Sequence, residues 1–405
     1  MQRFVQGYRR SFSGLSPSIW WLTLVTLINR SGTMVIPFLA VYLNDVLHFS
    51  LSDTGWIMTA FGAGSFLGAF LGGKLTDRIG YYQVMIWSLG ISGVLFIGLQ
   101  WINGFWEFVV YIFVLTMIAD AFRPANLTAV AAYSKPENRT RSLSLIRLAI
   151  NLGFAIGPAV GGFTAYYAGY KWLFWMDGLT CLFAVLLFWL KLSPRKNPNA
   201  ESPETEQEQT DLKATQPHRD GIYLLFLLAV SLSAIAFMQV FTSIPVYIKS
   251  VLGIAEGQLG ALMAMNGLLI VVFEMPLVYW LERRFRPLQL SAAGAFLIGV
   301  SLLMYNLGPI WKYIIWPSEI VLTLGEMLLF PFSNSIVLQR AAPKVRGQYM
   351  AFYTMAFSLA HILAPSFGLQ TAAFFGFRYL WPLCALLTLS ATFIFIRLQH
   401  SLKSI

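Results

Sequence analysis

Twelve apolar stretches, each about long enough to cross a bilayer, punctuate this 405-residue chain. A helix needs about 20 such residues to span the hydrocarbon. In lipid every backbone N–H and C=O must be satisfied internally, so runs of this length specify helices rather than open sheets. The spans are predicted at 19–43, 54–75, 83–102, 106–129, 144–167, 172–191, 221–248, 257–280, 288–308, 312–338, 349–371 and 378–398. The breaks between them carry glycine, proline or charge, as at Gly80, Lys135-Pro136, Gly169, Gly253, Arg286-Pro287, Ala342-Pro343 and Gly376. The expected fold class is an all-α membrane protein of twelve transmembrane helices.

Charge content supports this. Only 11% of residues are charged, 57% are apolar, and the mean hydropathy is +0.65; a soluble domain carries roughly a quarter of its residues as charges. Arg3, Arg9 and Arg10 precede an apolar segment much longer than a signal-peptide core, so the first span is expected to stay in the protein. The net charge of +10 follows topology and does not point to nucleic acid. Lys and Arg crowd one set of loops, among them Lys74, Arg78, Arg139, Arg141, Arg195, Arg283, Arg284, Arg286, Arg340, Lys344 and Arg346. The opposite loops hold Lys171, Lys249, Lys312 and Arg378. The basic side is expected to be cytoplasmic, with both termini there and the chain in the inner (plasma) membrane. Cys181 and Cys384 fall inside spans and read as small core fillers. No cofactor or metal set is expected.

The chain repeats itself. A shift of 207 residues puts Pro124 on Pro331, Pro136 on Pro343, Arg139 on Arg346 and Pro158 on Pro365. A shift of 208 puts Ile36-Pro37 on Ile244-Pro245, and one of 205 puts Gly55 on Gly260 and Gly62 on Gly267. Two pseudo-symmetric six-helix bundles follow, 1–192 and 221–405, joined by an acidic, proline-bearing cytoplasmic linker, 193–220. Parallel repeats of this kind place a solute site near the bilayer midplane.

Two motifs carry a family resemblance. The loop after span two reads Gly73-Lys74-Leu75-Thr76-Asp77-Arg78-Ile79-Gly80. It resembles the Gly-x-x-x-Asp-Arg/Lys-x-Gly signature of the major facilitator superfamily, with Tyr81-Tyr82 where that signature has two basic residues. The resemblance implies a conformational latch at Gly73, Asp77, Arg78 and Gly80. The fifth span carries Gly153, Gly157, Pro158, Gly161 and Gly162. Small residues at this spacing let helices pack closely in lipid, and the pattern resembles the antiporter motif of drug:proton exporters in that superfamily. Weaker likeness to proton-coupled oligopeptide transporters lies in Gly325-Glu326-Met327-Leu328-Leu329-Phe330-Pro331, although the first-span acids of that family are absent at Leu27-Ile28-Asn29-Arg30.

Ionisable residues within spans are costly and mark wet cavities or partners. Arg30, Asp120, Arg123, Glu274 and Glu326 are such residues, with Glu319 two turns outward of Glu326 and Asp177 nearer the outer face. Asp120 and Arg123 are spaced to pair. Asn29, Asn151, Gln239, Asn266 and His361 are polar candidates for the same cavity. A carboxyl that alternates between environments can exchange a proton, so Glu326 or Asp120 is the expected carrier, with Arg30 and Arg123 as charge partners. The expected function is secondary active transport of small organic solutes by a monomer in the bilayer. Proton-coupled, multidrug-like efflux leads; proton-coupled peptide or sugar transport and a non-transporting membrane receptor are the alternatives. No nucleophile set or phosphate-cradling loop suggests an enzyme.

Overall fold

The computed structural model describes residues 15–135, 138–195, 216–282, 284–341 and 346–401. Arg3, Arg9, Arg10, Pro136, Arg283, Pro343, Lys344 and residues 196–215 of the linker lie outside the described residues. Among the described residues twelve helices are long and apolar enough to cross a membrane: Pro17–Val46, Leu51–Ile79, Tyr81–Trp101, Phe105–Tyr133, Arg141–Tyr167, Lys171–Lys191, Gly221–Ser250, Glu256–Leu281, Pro287–Leu307, Lys312–Val337, Gln348–Phe375 and Phe377–Gln399. They are numbered here as spans one to twelve. Each matches a predicted span, with ends displaced by four residues or fewer. No strand occurs among the described residues. Trp101 and Trp106 are 66% and 75% exposed at neighbouring span ends, where aromatic side chains sit at the membrane–water boundary.

The helices group into two compact units. One holds the described residues of Met1–Val35 and Ala63–Glu208, the other those of Ile36–Gly62 and Gln209–Ile405. The sequence repeat divides the chain at the linker, whereas by packing Ile36–Gly62 groups with the second unit. Close helix approach explains this. A Cβ on Gly62 would stand 2.4 Å from the His361 carbonyl oxygen of span eleven, and one on Gly55 3.3 Å from Leu369 Cβ. Asp45 adds a 3.9 Å ion pair to Lys249. Further along span two, Gly64, Gly68 and Gly72 lie as tightly against span four at Phe113, Met117 and Ala121. Without a hydrophobic force between helices in lipid, such backbone approach is what makes contact favourable.

Three spans are interrupted, each four residues before a proline. Pro lacks the N–H that would bond the carbonyl of residue i−4. Pro37 frees Thr33, and span one breaks between Pro17–Ser31 and Val35–Val41. Pro124 frees Asp120, and span four divides into Phe105–Asp120 and Phe122–Tyr133. Pro245 frees Phe241, and span seven passes through a tight turn at Met238–Phe241 before resuming at Ser243–Ser250. By contrast the helices run on through Pro158 and Pro276.

The break in span one is capped from span six. Both Asp177 carboxyl oxygens accept backbone N–H groups, from Met34 at 3.0 Å and Val35 at 2.9 Å, and Asp177 is fully buried. Gly32 is needed here because a Cβ would fall 1.8 Å from Thr180 Oγ1. The break in span seven is bridged by Gln239. Its amide nitrogen donates to the carbonyls of Ile235 and Ala364, and its oxygen accepts from the hydroxyls of Ser243 and Thr242.

The described ends of the linker are held. Tyr81, Tyr82 and Tyr133 donate their hydroxyls to the carbonyls of Arg195, Leu192 and Ser193, so the tyrosines that stand in place of a basic pair grip the chain leaving span six. At the far end Asp220 is buried. It caps span seven through the Tyr223 N–H at 3.0 Å and takes a two-pronged bond from Arg340 at 2.7 and 2.6 Å, with the Tyr349 hydroxyl at 2.9 Å. Burial opposes its ionisation, but the Arg340 fork, the Tyr223 N–H and the Tyr349 hydroxyl outweigh that and hold its pKa below the ordinary carboxylate value. The linker is thus anchored at 192–195 and at Asp220, because each end supplies backbone or carboxyl groups to side-chain donors.

Candidate functional site

The in-span charges fall into one cluster per unit. In the first unit, the break of span four presents Asp120 and Arg123 on one turn. Arg123 Nε meets Asp120 Oδ1 at 2.7 Å, with Arg123 half-exposed. The other Asp120 oxygen accepts from the Ser65 hydroxyl of span two. Arg30 lies on the last turn before the break in span one, and the glycine pair of span five sets its place. A Cβ on Gly153 would stand 2.5 Å from Arg30 Cβ, and one on Gly157 3.0 Å from the Ser31 carbonyl oxygen. Pro158, Gly161 and Gly162 continue the same helix, all buried. The Arg30 guanidinium lies 5.8 Å from the centre of the Phe154 ring. Its Nε is buried without a hydrogen-bond partner. Neighbouring Asn29 donates to Cys181 Sγ at 3.6 Å. Asn151 is half-buried on span five.

In the second unit, Glu326 lies near the middle of span ten. Asn266 of span eight donates to it at 3.0 Å and to the Thr323 hydroxyl at 2.9 Å. Thr323 in turn donates to the Glu319 carbonyl at 2.7 Å. The Glu319 side chain is buried, with Tyr305 donating at 3.4 Å to one oxygen and the other oxygen unpartnered. No basic side chain pairs with either carboxyl among the described residues. Glu274 is half-buried on span eight. His361 keeps a ring nitrogen 3.2 Å from the Phe357 carbonyl. All four hydrogen-bonding positions of Gln239 are taken within its unit.

At the loop after span two, the helix runs to Ile79 and Gly80 turns the chain with φ +87°. Asp77 and Arg78 are exposed. A Cβ on Gly73 would meet nothing within 4 Å. The first unit also has a cleft of about 850 Å³ here, bounded by Asp77, Tyr82 and Trp87.

Several partners carry no motif of their own. Ser65 and Thr323 are unremarkable hydroxyls in glycine- and leucine-rich runs. Asn126 pairs with Thr26 across spans four and one at 3.3 Å. The one available signal was a polar residue on a predicted span, and that does not name its partner.

Twelve spans, a repeat and a charge cluster on each repeat define a polytopic membrane carrier class. The profile of the Major Facilitator Superfamily matches residues 20–365, and the chain belongs to that family of transporters. It is 24% identical to an uncharacterized MFS-type transporter, YqjV, of Bacillus subtilis (strain 168), over 89% of this chain and 87% of the relative. It is 23% identical to a Na(+), Li(+), K(+)/H(+) antiporter of Planococcus maritimus, over 92% and 93%. It is 22% identical to the multidrug resistance protein MdtH of Photorhabdus laumondii, over 83% of each. Among solved structures, a peptide transporter POT in complex with sulfate superposes with a TM-score of 0.78 at 15% identity, covering 96% of each chain. The nucleoside transporter NupG gives 0.77 at 12%, covering 95% of this chain and 99% of its own. These likenesses establish the fold.

Proposed function

We propose that this chain moves small organic solutes across the inner (plasma) membrane by alternating access, as a monomer with cytoplasmic termini, and that it couples efflux to protons. The observation that carries the reading is Glu326, a mid-span carboxyl held by an amide and not by a cation. A carboxyl in that setting gains or loses its proton as its access to water changes, without having to break an ion pair first. Asp120, by comparison, is fixed by Arg123 and Ser65 and serves as a structural pair or a second proton site. Relatives bearing antiporter and multidrug names support exchange and efflux. Asp77 and Arg78, with Gly73 and Gly80, act as the latch between conformations.

The test uses proteoliposomes and a panel of ethidium, a zwitterionic dipeptide and a disaccharide, the solute being chosen by thermal shift at two pH values. Glu326→Gln should retain solute counterflow and lose flux driven by a pH gradient. Proton-driven flux equal to wild type would remove Glu326 from the mechanism.

A further inference from the structure

The first unit contains a cation that forms no ion pair among the described residues. A guanidinium offers five N–H donors and no acceptor, and a mid-span charge is costly unless something satisfies it. Arg30 has its Nε buried without a partner and forms no ion pair with any described residue. Its guanidinium lies over the Phe154 ring, 5.8 Å from the centre, within electrostatic reach of the Asp120–Arg123 pair. Both buried acids among the described residues of the same unit are already engaged: Asp120 with Arg123 and Ser65, and Asp177 with two backbone N–H groups. The side chain is not merely loose. Gly153 and Gly157 bring span five against its own Cβ and the following carbonyl, so the base of the side chain is fixed and the fork projects from a rigid seat.

We infer that Arg30 is the docking point for an anionic group of the transported solute, a carboxylate, phosphate or sulfonate borne on an apolar or aromatic body. The planar fork matches such groups in a two-pronged geometry, and the Phe154 ring lies beside the place where an aromatic body would rest. This rests on the transporter reading and narrows it to solutes with a negative charge; a purely cationic solute would leave Arg30 unsatisfied and add repulsion. A phosphate could also come from a lipid headgroup, so the source is part of the test.

The experiment measures equilibrium binding, with no gradient, by tryptophan fluorescence of the full chain in nanodiscs of phosphatidylcholine. The probes are benzoate, phenyl phosphate, benzamide and benzylammonium. Wild type should bind benzoate and phenyl phosphate more tightly than the neutral and cationic probes. Arg30→Gln should weaken both anions about 10- to 100-fold, with little change for benzamide. Arg30→Lys, which keeps the charge and loses the fork, should recover part of the loss and controls for a folding defect, as does an unchanged melting profile. Equal anion binding by wild type and Arg30→Gln would overturn the assignment, and so would a preference of wild type for benzylammonium. Repeating the series with phosphatidylglycerol added tests the lipid: if it raises wild-type stability but not that of Arg30→Gln while no soluble anion binds, the occupant is a headgroup and the solute assignment fails. Because binding is read without a pH gradient, a failure of proton coupling leaves this measurement intact, and a failure here leaves the Glu326 flux test intact.

Discussion

Removing the Asp177 carboxyl should loosen span one at its break more than any other single truncation in the first unit. The carboxyl satisfies two backbone N–H groups, Met34 and Val35, at 3.0 and 2.9 Å, in a site with no solvent exposure. A buried donor left without a partner costs about 1–3 kcal/mol. Asp177→Ala therefore costs about 2–6 kcal/mol, two donors at that value. Asp177→Asn keeps one acceptor oxygen and turns an NH₂ toward the second N–H, so it should cost roughly half as much. At about 2–4 °C per kcal/mol for a body of this size, a mid-range loss for Asp177→Ala lowers the melting temperature by about 8–16 °C. The assay is thermal unfolding of purified protein, paired with hydrogen exchange read at peptides covering 32–36. Exchange there should rise in the order wild type, Asn, Ala, before global melting. Melting of Asp177→Ala within a degree or two of wild type, with exchange at 32–36 unchanged, would refute the capping argument.

Three further substitutions test the loop after span two and the end of the linker. At the loop after span two, Gly80→Ala should cost about 1–3 kcal/mol because φ +87° with ψ 150° is a conformation essentially confined to glycine, with open space around it, whereas Gly73→Ala, helical and equally open, should be neutral or gain up to about 1 kcal/mol; thermal melts of the two variants side by side check this. At the linker end, Asp220→Asn should cost about 1.5–3 kcal/mol by weakening the Arg340 fork. Because the folded-state pKa of Asp220 is depressed, that stabilisation is complete above its unfolded value near 3.9 and fades as the pH falls through the lower folded value. The melting gap between wild type and variant should be flat from pH 5 to 8 and close below about pH 4; a gap that widens on acidification would contradict the assignment.

The spans were legible because a bilayer imposes a length that hydropathy records directly, which is why no predicted end moved by more than four residues. The glycine motif of span five was legible for a similar reason, since close approach requires small side chains at a fixed spacing. The interruption of span one was not, although Pro37 stands in plain view. Pro158 sits inside an unbroken helix, so a proline alone does not decide between bending and breaking. At span one a buried acceptor also takes the N–H groups that the break exposes on Met34 and Val35, and that acceptor, Asp177, lies 143 positions from Met34 in the chain. Asp220 was hidden for the opposite reason: it closes a proline- and glutamate-rich stretch whose composition speaks for solvent, while its partners Arg340 and Tyr349 come from spans ten and eleven. Arg30 and Glu326 stood out as charges in apolar runs; that Arg30 Nε is buried without a partner and Glu326 is held by an amide depends on which helices pack against them.

The matching breaks at Pro37 and Pro245 also bear on ancestry. Both resumed helices place the proline third, at Val35-Ile36-Pro37 and Ser243-Ile244-Pro245, yet one joint is mended by a distant carboxyl and the other by an amide from its own helix. If a doubled six-span ancestor gave rise to the chain, it handed down the backbone fault, and each copy then acquired its own repair. Exchanging a repair residue between the copies should therefore fail, even though the prolines themselves occupy interchangeable places.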